Sequence, residues 1–142
     1  MSYYGRGTEQ EILQDLYNKI NAITGIKFVD FQRIATSGVD PDRYPGCFIN
    51  SVRTDKQQLL KDIVRNTLAV AIVGWIWATE AQDLITELNL FINSIKTAVM
   101  LDPTRGSKAL STIIRSETHD GGSRHPQAQF VMILDIVYYG YD

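Results

Sequence analysis

From Val64 or Asn66 to Trp77 the chain reads as one long strand with two apolar faces. Successive strand side chains point to opposite sides, so Leu68, Val70, Ile72, Gly74 and Ile76 share one face. Ala69, Ala71, Val73, Trp75 and Trp77 share the other. Neither face suits water, so both require cover: the chain's own helices on one side, and a neighbouring subunit as the expected cover on the other.

Two amphipathic segments can supply those helices. Over Thr8–Thr24, Ile12, Leu13, Leu16, Tyr17, Ile20 and Ile23 recur at three- and four-residue spacing. Thr8 and Glu11 have the spacing of a capping box, and Gly25 stands where a left-handed cap would end the helix. Over Thr79–Met100 the stripe is Leu84, Ile85, Leu88, Phe91, Ile92, Ile95 and Val99, with Glu80, Asp83 and Glu87 placed early to suit the helix dipole. Asp102-Pro103 stops this helix, and the turn-rich run Thr104–Ser107 follows.

Further strands are predicted at Ile26–Ile34, Cys47–Arg53, Ala109–Glu117 and Gln127–Tyr139. In the last, Ala128, Phe130, Met132, Leu134, Ile136 and Tyr138 alternate with Gln129, Val131, Ile133, Asp135, Val137 and Tyr139. Turn chemistry predicts loops over Ala35–Gly46 and Thr118–Pro126. Thr54–Arg65 fits a short helix or a connection, and the connection is favoured. The expected fold class is therefore α+β: a single domain over residues 8–142 with an antiparallel sheet of about four to five strands packed on two main helices, behind a flexible arm at residues 1–7.

Composition narrows the function classes. With 14 Lys+Arg against 16 Asp+Glu the net charge is −2, which argues against a dedicated nucleic-acid binder. Cys47 is the sole cysteine, so an intramolecular disulfide or a cysteine zinc cluster is impossible. A buried apolar role and a reducing compartment are expected. Met1–Gly7 lacks the basic flank and apolar core of a secretion signal.

The motifs of chemistry are missing: there is no Gly-x-Gly-x-x-Gly after a strand, no phosphate loop, no His-Glu-x-x-His and no Gly-x-Ser-x-Gly. His119, Asp120, Arg124 and His125 could set two imidazoles and a carboxylate around a metal, although a solvated or interface loop is the simpler reading. Asp83 and Glu87 lie one turn apart, as paired carboxylates or a solvated helix face. Trp75 and Trp77 could stack on bases or a sugar, or serve a core or subunit interface. Arg53, Lys56, Lys61 and Arg65 make a mild basic patch diluted by Asp55 and Asp62. No enzyme activity, cofactor or metal is expected. Surplus apolar strand surface points instead to an oligomer, and a closed ring of head-to-tail contacts is one way to bury it.

The order of elements resembles the tail terminator proteins of tailed bacteriophages over roughly Thr8–Tyr139. The residues that carry the likeness are Tyr44-Pro45-Gly46 entering a strand, Gly74-Trp75-Ile76-Trp77 closing the long one, and Tyr138-Tyr139 near the end. Asp102-Pro103-Thr104-Arg105-Gly106-Ser107 is similar to the family's Asp-x-x-Leu-Gly-Gly turn, with Arg105 in place of the Leu and Ser107 in place of the second Gly. The resemblance implies a hexameric ring in the virion neck, assembled in the host cytoplasm. That ring caps the head-proximal end of the tail tube, ends tube growth and offers the head a docking surface. Implied partners are further copies of the chain, the tail tube protein, a neck or connector protein and, in a contractile virion, the sheath protein. Genomic DNA would pass through without specific binding, and no membrane is involved.

Val73, Trp75, Trp77, Val137 and Tyr139 would then serve ring closure or the subunit core. Asp40, Arg43, Tyr44, Arg53, Lys56, His119, Asp120, Arg124 and His125, on loops at Ala35–Gly46, Arg53–Asp62 and Ser116–His125, would meet the tube, the connector or a neighbour. The alternatives are another neck component, such as a head-completion or tail-completion adaptor, and a small metal-binding α+β domain built on His119, Asp120 and His125.

Overall fold

A computed structural model describes residues 7–31, 44–78, 80–120 and 126–141. Its elements run α1 (Glu9–Asn21), β1 (Phe28–Asp30), β2 (Gly46–Leu60), β3 (Ile63–Trp77), α2 (Ala81–Met100), β4 (Ser111–His119) and β5 (Gln127–Tyr141). The strands form one sheet in the order β1-β2-β3-β5-β4, antiparallel throughout except for the short parallel β1–β2 pair. This is the α+β class expected, with five strands and two helices among the described residues.

The doubly apolar segment becomes the central strand. β3 pairs with β2 along one edge and with β5 along its whole length, from Ile63–Tyr141 to Trp77–Gln127. Its Leu68, Val70, Ile72 and Ile76 meet Phe130, Met132, Leu134 and Ile136 of β5 under both helices, in the main core. Fully burying each such side chain contributes about 1.5–3 kcal/mol. Gly74 has a steric purpose here: a Cβ would stand 2.1 Å from the Phe130 ring, which lies across the strand and meets Phe91 of α2 edge-on at 5.6 Å.

α1 starts as its capping residues dictate. The Thr8 hydroxyl accepts the Glu11 N–H at 3.1 Å, and the Glu11 carboxylate accepts the Thr8 N–H at 3.0 Å. Lys108 at 3.0 Å and the Thr8 amide hold the Glu11 carboxyl below its ordinary pKa, the Lys108 contact contributing most. The helix ends at Asn21 rather than Thr24, because Ile23 N–H turns back to Ile20 and Ile26 N–H to Ile23, and Gly25 (φ +89°) closes that extra turn. Gly7 donates its N–H to the Lys108 carbonyl at 2.7 Å, and residues 1–6 of the expected arm lie outside the described residues.

The main departure from expectation is Thr54–Arg65. This segment is neither a helix nor an open connection: β2 continues to Leu60, turns at Lys61-Asp62 and returns as β3, with bulges near Val52 and Leu59. The loop expected at Arg53–Asp62 is thus the distal half of a hairpin. Beyond Asn50 the β2 side chains are mostly exposed, so no apolar alternation marked the strand. Smaller corrections follow from packing. Strand Ile26–Ile34 shrinks to Phe28–Asp30, its residues 32–34 lying outside the described set; β4 begins at Ser111, two residues late; Ile85 of the α2 stripe is exposed.

α2 passes into β4 through the turn Asp102–Lys108. The Asp102 carboxylate accepts the Thr104 hydroxyl at 2.6 Å, the Thr104 N–H at 3.1 Å and the Gly106 N–H at 2.9 Å. Those bonds, the Thr104 hydroxyl foremost, lower its pKa. Arg105, at φ +52°, is fully buried: it donates to the carbonyls of Val99 and Asp102 and lies 3.3 Å from Asp15 of α1. A run that reads only as a turn-rich exit therefore ties the C-terminus of α2 to the flank of α1.

Candidate assembly surface

Both helices cover the same face of the sheet, and among the described residues the other face carries no layer of its own. Register across the strands fixes what that outer face carries. Its rows are Gly46–Trp75–Gln129, Phe48–Val73–Val131–Thr118, Asn50–Ala71–Ile133–Ser116, Arg53–Ala69–Asp135–Ile113 and Asp55–Thr67–Val137–Ser111. An aromatic end thus grades into an aliphatic middle and then into a charged end, where Arg53 pairs with Asp55 at 3.3 Å and Arg115 lies 3.7 Å from Asp135.

The aromatic end closes on itself. Trp75, Phe48 and Tyr44 are buried together, with Phe28, Val73 and Trp77 packed at their margin. Tyr44 stacks on Trp77 at 6.0 Å, and Phe28 leans on Phe48 at 5.1 Å. Gly46 makes room, since a Cβ there would stand 2.0 Å from the Phe28 ring. Burial raises the Tyr44 phenol pKa. Trp75 therefore belongs to the subunit's own packing.

The aliphatic middle has no such cover among the described residues. Val73, Ala71, Val131 and Ile133 are half-buried by their neighbours in the sheet, and Ile113 is 56% exposed. Val137 is buried between flanking strands, and Tyr139 is half-buried opposite Arg65. Both sheet edges are open among the described residues: β1 covers β2 only from Gly46 to Phe48, and β4 is the terminal strand. Such edges present unpaired backbone donors and acceptors.

The remaining candidate residues separate. Lys56 is exposed on the hairpin beside Arg53 and Asp55. Asp120 closes the mouth of the β4–β5 hairpin: its N–H donates to the Gln129 carbonyl at 3.2 Å, and its carboxylate accepts the Gln129 N–H at 3.3 Å. His119 is exposed opposite Phe130. Asp40, Arg43, Arg124 and His125 lie outside the described residues. Among the described residues no three His, Cys, Asp or Glu side chains converge as a metal site, and no helix is long and apolar enough to cross a membrane. Cys47 is buried in the core, where desolvation, with the Asp30 charge second, pushes its thiol up to about 12.

Besides the buried Arg105, two features escaped sequence reasoning. One is the reach of the hairpin. The other is a groove between α1 and α2, with a cavity of about 190 Å³ at the end lined by Ile23, Ile26, Trp77, Glu87, Leu90 and Phe91. Its only signal in the sequence is that Glu80, Asp83, Glu87, Leu90 and Ser94 follow helical spacing outside the predicted core stripe.

No protein-family model and no curated protein matches the chain. Among solved structures, a chain from one described as "Virion of native gene transfer agent (GTA) particle" aligns with 88% of this chain and 92% of its own length, at 8% identity and a TM-score of 0.44.

Proposed function

We propose that the chain is a structural virion protein of the tail terminator kind, closing as a hexameric ring on the head-proximal end of a phage tail tube. The observation that carries this reading is the outer sheet face: an aliphatic band through Val73, Val131, Ile133 and Ile113, flanked by two edges that are open among the described residues. That surface suits association with further protein. The order of elements, which resembles the terminator family, supplies the choice of assembly.

The mechanism is surface matching without covalent chemistry. One face of the ring repeats the contacts a further tube subunit would make. The opposite face offers no next growth site and instead presents the neck with a platform. The near-neutral charge of −2 suits a ring through which DNA passes, since a strongly basic lumen would grip phosphates in a salt-dependent way.

Two measurements test this. Light scattering should give six times the 16.0 kDa chain mass, at the latest once tube protein is added. Ile113→Asp, on an exposed outer-face position, should reduce that mass to the monomer's with the circular dichroism spectrum unchanged. Phage lacking the protein should carry overlong or unjoined tails in electron micrographs. Normal-length tails beside leaking heads would assign it to a head-completion adaptor instead.

A further inference from the structure

We propose that the Leu59-Leu60 tip of the β2–β3 hairpin on one copy docks in the α1–α2 groove of the next. The proposal rests on the ring reading and names the contact that would build it. The hairpin ends on apolar side chains in water: Leu60 is 66% exposed at the tip, and Leu59 is exposed beside it. Around them stand Arg53, Lys56, Lys61 and Arg65 against Asp55 and Asp62, a net charge of +2 over residues 53–65, and all six are exposed.

The groove has the opposite character. Along α2 the exposed stripe begins with Glu80, Asp83 and Glu87 and continues into Leu90, which is 58% exposed, and then to Leu101, which is 72% exposed. Ile23 and Ala22 of the α1 exit form the facing wall. Among the described residues one base lines this groove, Lys19, and it is already paired with Asp15 at 3.1 Å. None of Lys56, Lys61, Arg65, Glu80, Asp83 and Glu87 has an ion-pair partner among the described residues. An apolar tip ringed by bases thus matches an apolar groove headed by acids, the arrangement in which an anchor side chain supplies affinity and rim charges supply orientation.

Geometry excludes docking within one copy. The tip lies at the Ile63 end of β3, and the groove opens at the Trp77 end. At about 3.3 Å per residue the tip and the Trp77 end of the groove, where Leu90 lies, are roughly 45 Å apart. Tip and groove are different surfaces, so the contact is heterologous, the kind that closes into a ring when the rotation permits.

The test uses full-length chains carrying Leu60→Cys or Leu90→Cys, both at exposed positions, with Cys47 left buried. Under mild oxidation the mixture of the two should give a disulfide-linked dimer, and neither variant alone should. Lys56→Glu/Lys61→Glu added to the tip chain should cut the yield roughly tenfold or more. Asp83→Lys/Glu87→Lys on the groove chain should restore it. Cross-linking of Leu60→Cys alone would show tip meeting tip and overturn the proposal. Cross-linking of the tip to tube protein, with none to the groove, would also overturn it. A hexamer whose mass persists without tip-to-groove cross-linking would refute this contact and leave the ring intact, whereas normal tails in phage lacking the protein would refute the ring.

Discussion

Replacing Arg105 by Ala should destabilise the protein by about 3 kcal/mol, and the structure shows why. The guanidinium is fully buried and donates to two carbonyls, Val99 in the last turn of α2 and Asp102 in the turn beyond. Hydrogen bonds to a charged group contribute about 1.5–3 kcal/mol each. Losing both would cost about 3–6 kcal/mol, and the ion pair to Asp15 adds to that. Recovered hydration of the guanidinium offsets part of the loss. Lys19 remains 3.1 Å from Asp15 Oδ1, so the carboxylate keeps one cationic partner while its buried Oδ2 loses the other. The net of about 3 kcal/mol corresponds to a fall in Tm of roughly 10 °C for a chain of this size.

The backbone provides an internal control. Arg105 sits at φ +52°, where a Cβ costs about 1 kcal/mol or more and glycine is free of that cost. Arg105→Gly should therefore be less destabilising than Arg105→Ala by about 1 kcal/mol, the reverse of their order in a helix. Urea unfolding followed by the fluorescence of Trp75 and Trp77 measures both. An Arg105→Ala variant within about 0.5 kcal/mol of wild type, the range of ordinary surface substitutions, would refute the assignment of this turn as a brace. A glycine variant weaker than the alanine one would refute the strain argument.

Three further outcomes are expected. The pKa values of Asp102 and Glu11 are lowered in the folded chain, so their stabilisation is complete above the ordinary carboxylate range and is lost as pH falls through their folded values. Urea midpoints should drop between roughly pH 5 and 3, and Asp102→Asn should flatten that drop. Cys47, its thiol raised to about 12, should resist maleimide at pH 8 in the native protein and react at once in urea; brisk native labelling would contradict the core placement. Gly74→Ala should cost about 1–3 kcal/mol through its clash with Phe130, seen as a lower Tm.

The parts of this fold legible in the sequence are those where the local signals agree with one another. α1 carried both a stripe and a capping box, and β5 alternated without interruption from Ala128 to Tyr138, so each was readable to within a few residues. The distal hairpin was opaque because apolar alternation reports burial rather than strand geometry, and the β2 arm beyond Asn50 meets water on both faces. Arg105 was opaque for the converse reason: a charged residue in a Gly- and Ser-rich turn reads as solvated until a second helix is seen beside it. On the candidate surface, alternation showed that Val73 and Val137 share a face. Which part of that face closes on itself depended on Tyr44 and Phe28 arriving from distant segments.

The central place of β3 also bears on how the chain acquires its structure during synthesis. Its partner β2 precedes it directly, and a hairpin of this kind zips in microseconds. Its other partner begins at Gln127, 50 residues after Trp77. At translation rates of about 5–20 residues per second, several seconds pass before that strand exists. Throughout this interval the edge of β3 that β5 will occupy stands unpaired, a template for its siblings on the same polysome. Late arrival of β5 makes translation speed, as much as equilibrium stability, a determinant of how many copies reach the folded state.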